Sequence, residues 1–288
     1  MRSFRGIWVA LATPFNNGEI DLSALEMLVS TLREDGIAGL VVCGTTGEAA
    51  AMSHEEQLSV LDAVLQWVPA DQVIMGLAGN NLRELLEFQQ QIQRRSIAGL
   101  LVPAPYYIRP SQAGLESFFQ LVADASTVPV IIYDIPYRTG VRIERETLRR
   151  IVQHGNVAAV KDCSGDIETT TSLINDGYAE VLAGEDTQIF STLCMGGAGA
   201  ISASAHIRSD LYVKMQSYIE AQDLANARSI LYRLLPWIRI AFAEPNPAPV
   251  KAALSQLSLI REELRQPMQG CTPQTHERIS DVLAQLAR

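Results

Sequence analysis

The chain has 288 residues, 48% of them apolar and 19% charged, an ordinary globular composition that allows either two domains or one large α/β barrel. A formal charge of −9 and a pI near 5.0 argue against nucleic acid and anionic membrane surfaces as partners, so any acid bound here needs a local cationic or N–H-rich pocket. No apolar stretch is long enough to span a bilayer, and residues 7–12 are too short, and followed by no cleavage pattern, for a signal peptide. Cys43, Cys163, Cys194 and Cys271 form no C-x-x-C pair, and the first three lie in apolar segments. They read as buried, reduced thiols, and a cytoplasmic location is the simplest reading.

Short apolar runs rich in Val, Ile, Leu and Ala recur at 6–13, 39–43, 73–77, 99–103, 129–134, 157–162, 180–184 and 199–203. They lack strict alternation, as parallel strands covered on both faces do. Amphipathic segments lie between them, among them 54–67, 82–95 and 111–126. Ser53 and Glu56 predict a capping box at the start of the first of these, and Ser111 precedes the last. Residues 37–42 (Ile-Ala-Gly-Leu-Val-Val) are echoed at 97–102 (Ile-Ala-Gly-Leu-Leu-Val), two βα units later, each with a glycine expected to end a helix where an apolar strand begins. Eight strands alternating with helices predict an α/β fold of the (β/α)8 TIM barrel type. The glycines form no G-x-G-x-x-G after the first strand, which disfavours a dinucleotide fold.

Beyond residue 205 the strand signals stop, and 206–221, 223–243, 248–259 and 274–287 are all helical in pattern. The joint Glu244-Pro245-Asn246-Pro247-Ala248-Pro249 must break the preceding helix, with Asn246 expected to cap the next and Pro247 to start it. The expected organisation is a catalytic barrel over 1–222 with a helical region, 223–288, packed on it.

Only three lysines occur, against 20 arginines among the 23 basic residues, and Lys161 closes the apolar strand Val157-Ala158-Ala159-Val160. Burial lowers an amine's pKa and makes it a better nucleophile towards a carbonyl; the alternative is a lysine that snorkels to water at the strand end. In such barrels chemistry sits at the C-terminal ends of strands. There the sequence places Gly44-Thr45-Thr46-Gly47-Glu48, a turn suited either to a small carboxylate or simply to satisfied threonines. It also places Tyr106 and Tyr107 after the fourth strand, and Tyr133 in the fifth. Several hydroxyls beside an amine suit a proton relay, which imine formation requires. Arg138 offers a bidentate fork for a carboxylate, or a surface ion pair with Asp134 or a glutamate. His54, His154, His206 and His276 show no metal-ligand spacing, and no G-x-S-x-G elbow occurs. The run Gly196-Gly197-Ala198-Gly199-Ala200 leads into a strand and reads as close packing.

These motifs, with Pro105-Tyr106-Tyr107, Tyr133-Asp134-Ile135-Pro136, Arg138-Thr139-Gly140, Val160-Lys161-Asp162, Leu182-Ala183-Gly184-Glu185-Asp186 and Glu244-Pro245-Asn246-Pro247, resemble in the same order those of the dihydrodipicolinate synthases. These belong to the N-acetylneuraminate lyase superfamily of class I, pyruvate-dependent aldolases. The resemblance implies a Schiff base between Lys161 and pyruvate, with Thr45, Tyr107 and Tyr133 as a proton relay. It implies that Thr46 and the backbone of Ile201 hold the pyruvate carboxylate, and that Arg138 binds the carboxylate of L-aspartate-4-semialdehyde. It implies no cofactor and no metal, and a homo-oligomer, a tetramer built from tight dimers in which Tyr107 reaches into the neighbour's site.

Asp134 stands where the family usually has asparagine, and Lys161-Asp162-Cys163-Ser164-Gly165-Asp166 is closer to some sugar-acid aldolases. The competing substrate is therefore a 2-keto-3-deoxy sugar acid, whose enzymes generally lack an arginine equivalent to Arg138. The intact set Thr45, Tyr107, Tyr133, Arg138 and Lys161 disfavours a catalytically idle paralogue. Family members that bind lysine between subunits imply a candidate regulatory site at His54, Asn80, Glu84 and Tyr106; the alternative is that these are polar residues of a helix surface and an interface. Gln57 replaces a histidine of some inhibited members, and weak or absent lysine feedback is expected.

Overall fold

The computed structural model describes residues 3–287. Eight parallel strands close into a barrel in chain order: β1 (Gly6–Ala10), β2 (Gly39–Val42), β3 (Val73–Gly76), β4 (Gly99–Pro103), β5 (Val130–Asp134), β6 (Val157–Asp162), β7 (Glu180–Ala183) and β8 (Gly199–Ser202). The helices that follow them are α1 (Leu22–Glu34), α2 (His54–Trp67), α3 (Leu82–Ile92), α4 (Gln112–Asp124), α5 (Arg145–Ile151), α6 (Ile167–Asp176), α7 (Ile189–Cys194) and α8 (Ser209–Glu220). Then come α9 (Leu224–Ile240), α10 (Ala248–Gln256) and α11 (Pro273–Leu286). The (β/α)8 barrel with C-terminal helices is thus the fold read from the strand pattern. No described helix is long and apolar enough to cross a membrane. Contacts gather into two units, one of residues 3–5 and 70–201, the other of 6–69 and 202–287.

In the first unit, β3 to β7 pair in parallel, with Ile74 opposite Gly99, Leu100 opposite Val130, and Lys161 opposite both Tyr133 and Leu182. Nearly every strand residue is buried, which explains runs without alternation. Gly99 opens its strand and does not end a helix, as the echo had suggested. A Cβ there would lie 2.7 Å from the Pro129 carbonyl and 3.1 Å from the Phe4 ring, so close approach of chains, and not a left-handed cap, calls for glycine. Gly197 is confined in the same way against Thr192, as close packing in the glycine run requires. Cys194 corrects the expectation of buried thiols: it ends α7 on that helix's exposed side, while Cys43 and Cys163 are buried. Burial pushes both of those thiols well above the usual range.

In the second unit, β1 pairs with β2 through Trp8–Gly39 and Ala10–Val41. The strand expected over 6–13 ends at Ala10, because Pro14 has no N–H to give and the Ala12 N–H turns to His206 Nε2 at 3.0 Å. His206 in turn donates from Nδ1 to the Ala203 carbonyl, 2.8 Å away, and burial drops its pKa to about 4, so the ring is a neutral bridge between two backbone groups. A short hairpin, Phe15–Asn16 with Glu19–Ile20, follows. Its Asn17-Gly18 tip has both φ angles positive (54° and 84°), which a two-residue turn matched to strand twist demands. The Ser53–Glu56 capping box forms as read, with bonds of 3.2 and 2.8 Å. Trp237 of α9 is fully buried and donates to the Ser204 carbonyl at 2.7 Å. At the Pro-rich joint the expectation fails in detail. α10 starts at Ala248, with Pro247 in the cap position, and Asn246 lies one residue too early to cap it, its Nδ2 donating instead to Thr46.

Candidate active site

Lys161 and Tyr133 occupy paired positions near the C-terminal ends of β6 and β5. Both are buried, and Lys161 Nζ lies 4.1 Å from the centre of the Tyr133 ring. Burial lowers the pKa of the Lys161 amine, opposed by nearby Cys163, Asp186 and Glu185. The space for its side chain comes from Gly184. A Cβ there would meet Lys161 Cγ at 2.9 Å and the Asp162 carbonyl at 3.0 Å, and would collide with Cys163 Sγ. A poorly solvated amine is suited to attack a carbonyl, and the electron-rich ring beside it suits the iminium cation that follows.

One position further along the same strands, Asp134 pairs with Asp162, and both carboxyls are buried. Asp162 accepts from the Ser164 N–H at 2.8 Å and from the Thr170 hydroxyl. Burial pushes the Asp134 pKa up to about 7, assisted by the charge of Asp162 and opposed by Arg142 and the Ile143 N–H. The two departures from the usual family pattern, Asp134 and the Lys-Asp-Cys-Ser run, are therefore neighbours in space.

Around this centre, the one-turn helix Pro136–Thr139 carries Arg138 into solvent, where its guanidinium lies 5.6 Å from the Tyr137 ring. Among the described residues it makes no ion pair, so the surface salt bridge considered for it does not form. After β4, the Tyr106 N–H bonds Asn80 Oδ1 at 3.0 Å and the Tyr107 N–H bonds the Thr139 carbonyl at 3.0 Å. Tyr107 takes a left-handed φ of 71° and is 89% exposed. Ile201 lies buried within β8. Of the candidate regulatory positions, Glu84 bonds Asn81 at 2.7 Å, Asn80 bonds Tyr106 as above, and His54 opens α2 in the other unit.

In the second unit, the Gly44–Glu48 turn is closed by a bond from the Glu48 N–H to the Thr45 carbonyl at 3.1 Å. Gly47 is obligatory, since a Cβ would sit 3.0 Å from the Leu11 carbonyl and 3.2 Å from the Cys43 N–H. Thr45 is half-buried and Thr46 buried. Asn246 Nδ2 donates to Thr46 Oγ1 at 3.0 Å, and Glu48 is ion-paired with a fully buried Lys251. Neither Asn246 nor Lys251 was singled out for the site from sequence. The available signal was Lys251, one of only three lysines, set in the apolar run Val250-Lys251-Ala252-Ala253-Leu254. Among the described residues, no three His, Cys, Asp or Glu side chains gather as a metal-ligand set.

The Dihydrodipicolinate synthetase family profile matches residues 3–286. The 4-hydroxy-tetrahydrodipicolinate synthase of Syntrophus aciditrophicus is 37% identical over 287 residues, covering 97% of each chain. That of Methanocaldococcus jannaschii is 34% identical over 285 residues, covering 98% of this chain and 99% of the other. Among solved structures, dihydrodipicolinate synthase from Aquifex aeolicus superposes with a TM-score of 0.95 at 30% identity, covering 99% of this chain and 98% of that one. The Thermotoga maritima enzyme gives 0.93 at 32% identity, covering 99% of both. On the strength of a match along nearly its whole length, this chain belongs to the dihydrodipicolinate synthetase family.

Proposed function

We propose that the protein is a 4-hydroxy-tetrahydrodipicolinate synthase, joining pyruvate to L-aspartate-4-semialdehyde on the way to diaminopimelate and lysine. The observation that carries this reading is the buried Lys161 amine against Tyr133, with its pKa lowered by burial. Lys161 attacks the keto carbon of pyruvate, and loss of water gives a protonated imine. The imine draws electrons from the methyl group, a proton leaves, and an enamine forms. Thr45, Tyr133 and a partner's Tyr107 carry these protons, while Thr46 and the backbone of Ile201 hold the pyruvate carboxylate. The enamine carbon attacks the aldehyde, whose carboxylate Arg138 binds. The amine of the semialdehyde then adds to the imine carbon, closes the ring and expels Lys161. The covalent lysine supplies the electron sink, so the scheme uses no cofactor.

The scheme takes the chain as a homo-oligomer, a tetramer of tight dimers, with the 89%-exposed Tyr107 available to serve a neighbouring site. A cytoplasmic location agrees with this biosynthetic role. A second substrate reading, a 2-keto-3-deoxy sugar acid, is favoured by the Asp134–Asp162 pair and opposed by the unpaired Arg138.

Two measurements test the proposal. Borohydride reduction in the presence of pyruvate should add one pyruvate-derived mass to the peptide containing Lys161; an unchanged mass, or an adduct elsewhere, refutes the mechanism. A kcat/KM for sugar-acid cleavage above that for pyruvate plus aspartate semialdehyde refutes the substrate assignment.

A further inference from the structure

The short segment from Asn246 to Lys251 touches the Gly44–Glu48 turn at two points. At the first, Asn246 Nδ2 lies 3.0 Å from Thr46 Oγ1. An amide NH2 only donates, whereas a threonine hydroxyl has one proton and two acceptor positions. Thr46 is therefore the acceptor in this bond and keeps its proton for another partner. At the second, the fully buried Lys251 pairs with Glu48, which also accepts from the Arg265 N–H at 3.0 Å. Lys251 Nζ donates as well to the Glu263 carbonyl at 2.7 Å and lies 4.3 Å from the centre of the Phe15 ring. Glu48 has a left-handed φ of 55°, uncommon for a residue with a Cβ, and persists there because its carboxylate is held from both sides.

We propose that Asn246 is a positioning residue for the reaction: it holds Thr46 Oγ1 as an acceptor, so that the hydroxyl proton is presented to the substrate carboxylate, while the Lys251–Glu48 pair anchors the turn that carries Thr46. The inference rests on the carboxylate-binding role given to Thr46 above and adds to it the group that sets the hydroxyl's polarity.

The test measures the pyruvate concentration that half-saturates borohydride trapping, which needs no second substrate. N246A should raise it about five- to tenfold, the loss expected when a hydrogen bond to a charged group is no longer preorganised. N246D, whose carboxylate accepts and so takes the Thr46 proton, should raise it more. In a T46V background, N246A should add less than about twofold, since the two act as one unit. Thermal melts accompany each variant, and N246S replaces any that does not fold. The inference is overturned if N246A half-saturates as the unaltered protein does while T46V is impaired, if N246D binds pyruvate as well as the unaltered protein, or if the N246A effect persists undiminished in T46V. A T46V protein that traps pyruvate at unaltered concentrations overturns the Thr46 assignment itself, and this inference with it.

Discussion

Lys161 and Tyr133 are cross-strand partners, the Lys161 Nζ lying 4.1 Å from the centre of the Tyr133 ring. Two contributions of Tyr133 are separable. The ring face favours the cationic amine and the iminium that follows it, and phenylalanine retains that face. The hydroxyl serves proton transfer, and phenylalanine removes it. Y133F should therefore still form the borohydride-trapped pyruvate adduct while losing roughly 10²-fold or more in kcat, the usual scale for a positioned acid–base group. K161A should form no adduct. In the unaltered protein the trapping rate should rise with pH and level off below the ordinary lysine value of 10.5, because burial lowers the Lys161 pKa. A Y133F protein with unaltered turnover removes the phenol from the mechanism.

Arg138 stands exposed, and among the described residues no carboxylate pairs with its fork. If it receives the carboxylate of the aldehyde substrate, R138A should cost roughly 2–5 kcal/mol in kcat/KM for aspartate semialdehyde, as for one partner of a desolvated charged pair. Pyruvate trapping should be unchanged. Steady-state kinetics with charged and uncharged aldehydes decides the matter, since an equal loss for both contradicts carboxylate recognition.

Feedback by lysine should be weak. Gln57 is buried, and its amide donates to the Ala49 and Met52 carbonyls at 3.1 and 3.2 Å, so its NH2 is spent within its own chain. Glu84 is engaged with Asn81. An assay with lysine at millimolar concentration should retain most of its rate, and loss of most activity below that range contradicts the expectation.

Lys161, Tyr133 and the eight strands were legible in the sequence because burial on both faces writes apolar runs, and a lysine at the end of one is conspicuous. The Thr45–Thr46 turn was visible as a motif, but its support was not. Asn246 reads as a helix cap, since Asn before Pro before a helix has that local meaning. Its actual partner, Thr46, is 200 residues away in the chain, and no local signal encodes that. Lys251 carries no local sign of its partner for the same reason: one cation in an apolar helix reads as a defect until Glu48 is placed beside it. The requirement for glycine at 184 is likewise tertiary, arising from Lys161 near the end of the adjacent strand and Cys163 just after it.

Asp134 gives a pH dependence whose sign is fixed. Its carboxyl in the fold has a pKa raised to about 7 from 3.8, chiefly by burial and then by the charge of Asp162. The folded state thus holds a proton that the unfolded chain gives up between these values, and Asp134 costs stability progressively as pH rises through that window, by up to about 1.4 kcal/mol per pH unit. Below pH 3.8 both states are protonated and the cost vanishes. Asparagine keeps the shape and cannot ionise. D134N should therefore gain stability relative to the unaltered protein as pH rises from 5 to 8, read as a growing separation of urea midpoints. A separation that stays constant or shrinks over that range would show that Asp134 is already ionised in the fold at pH 5.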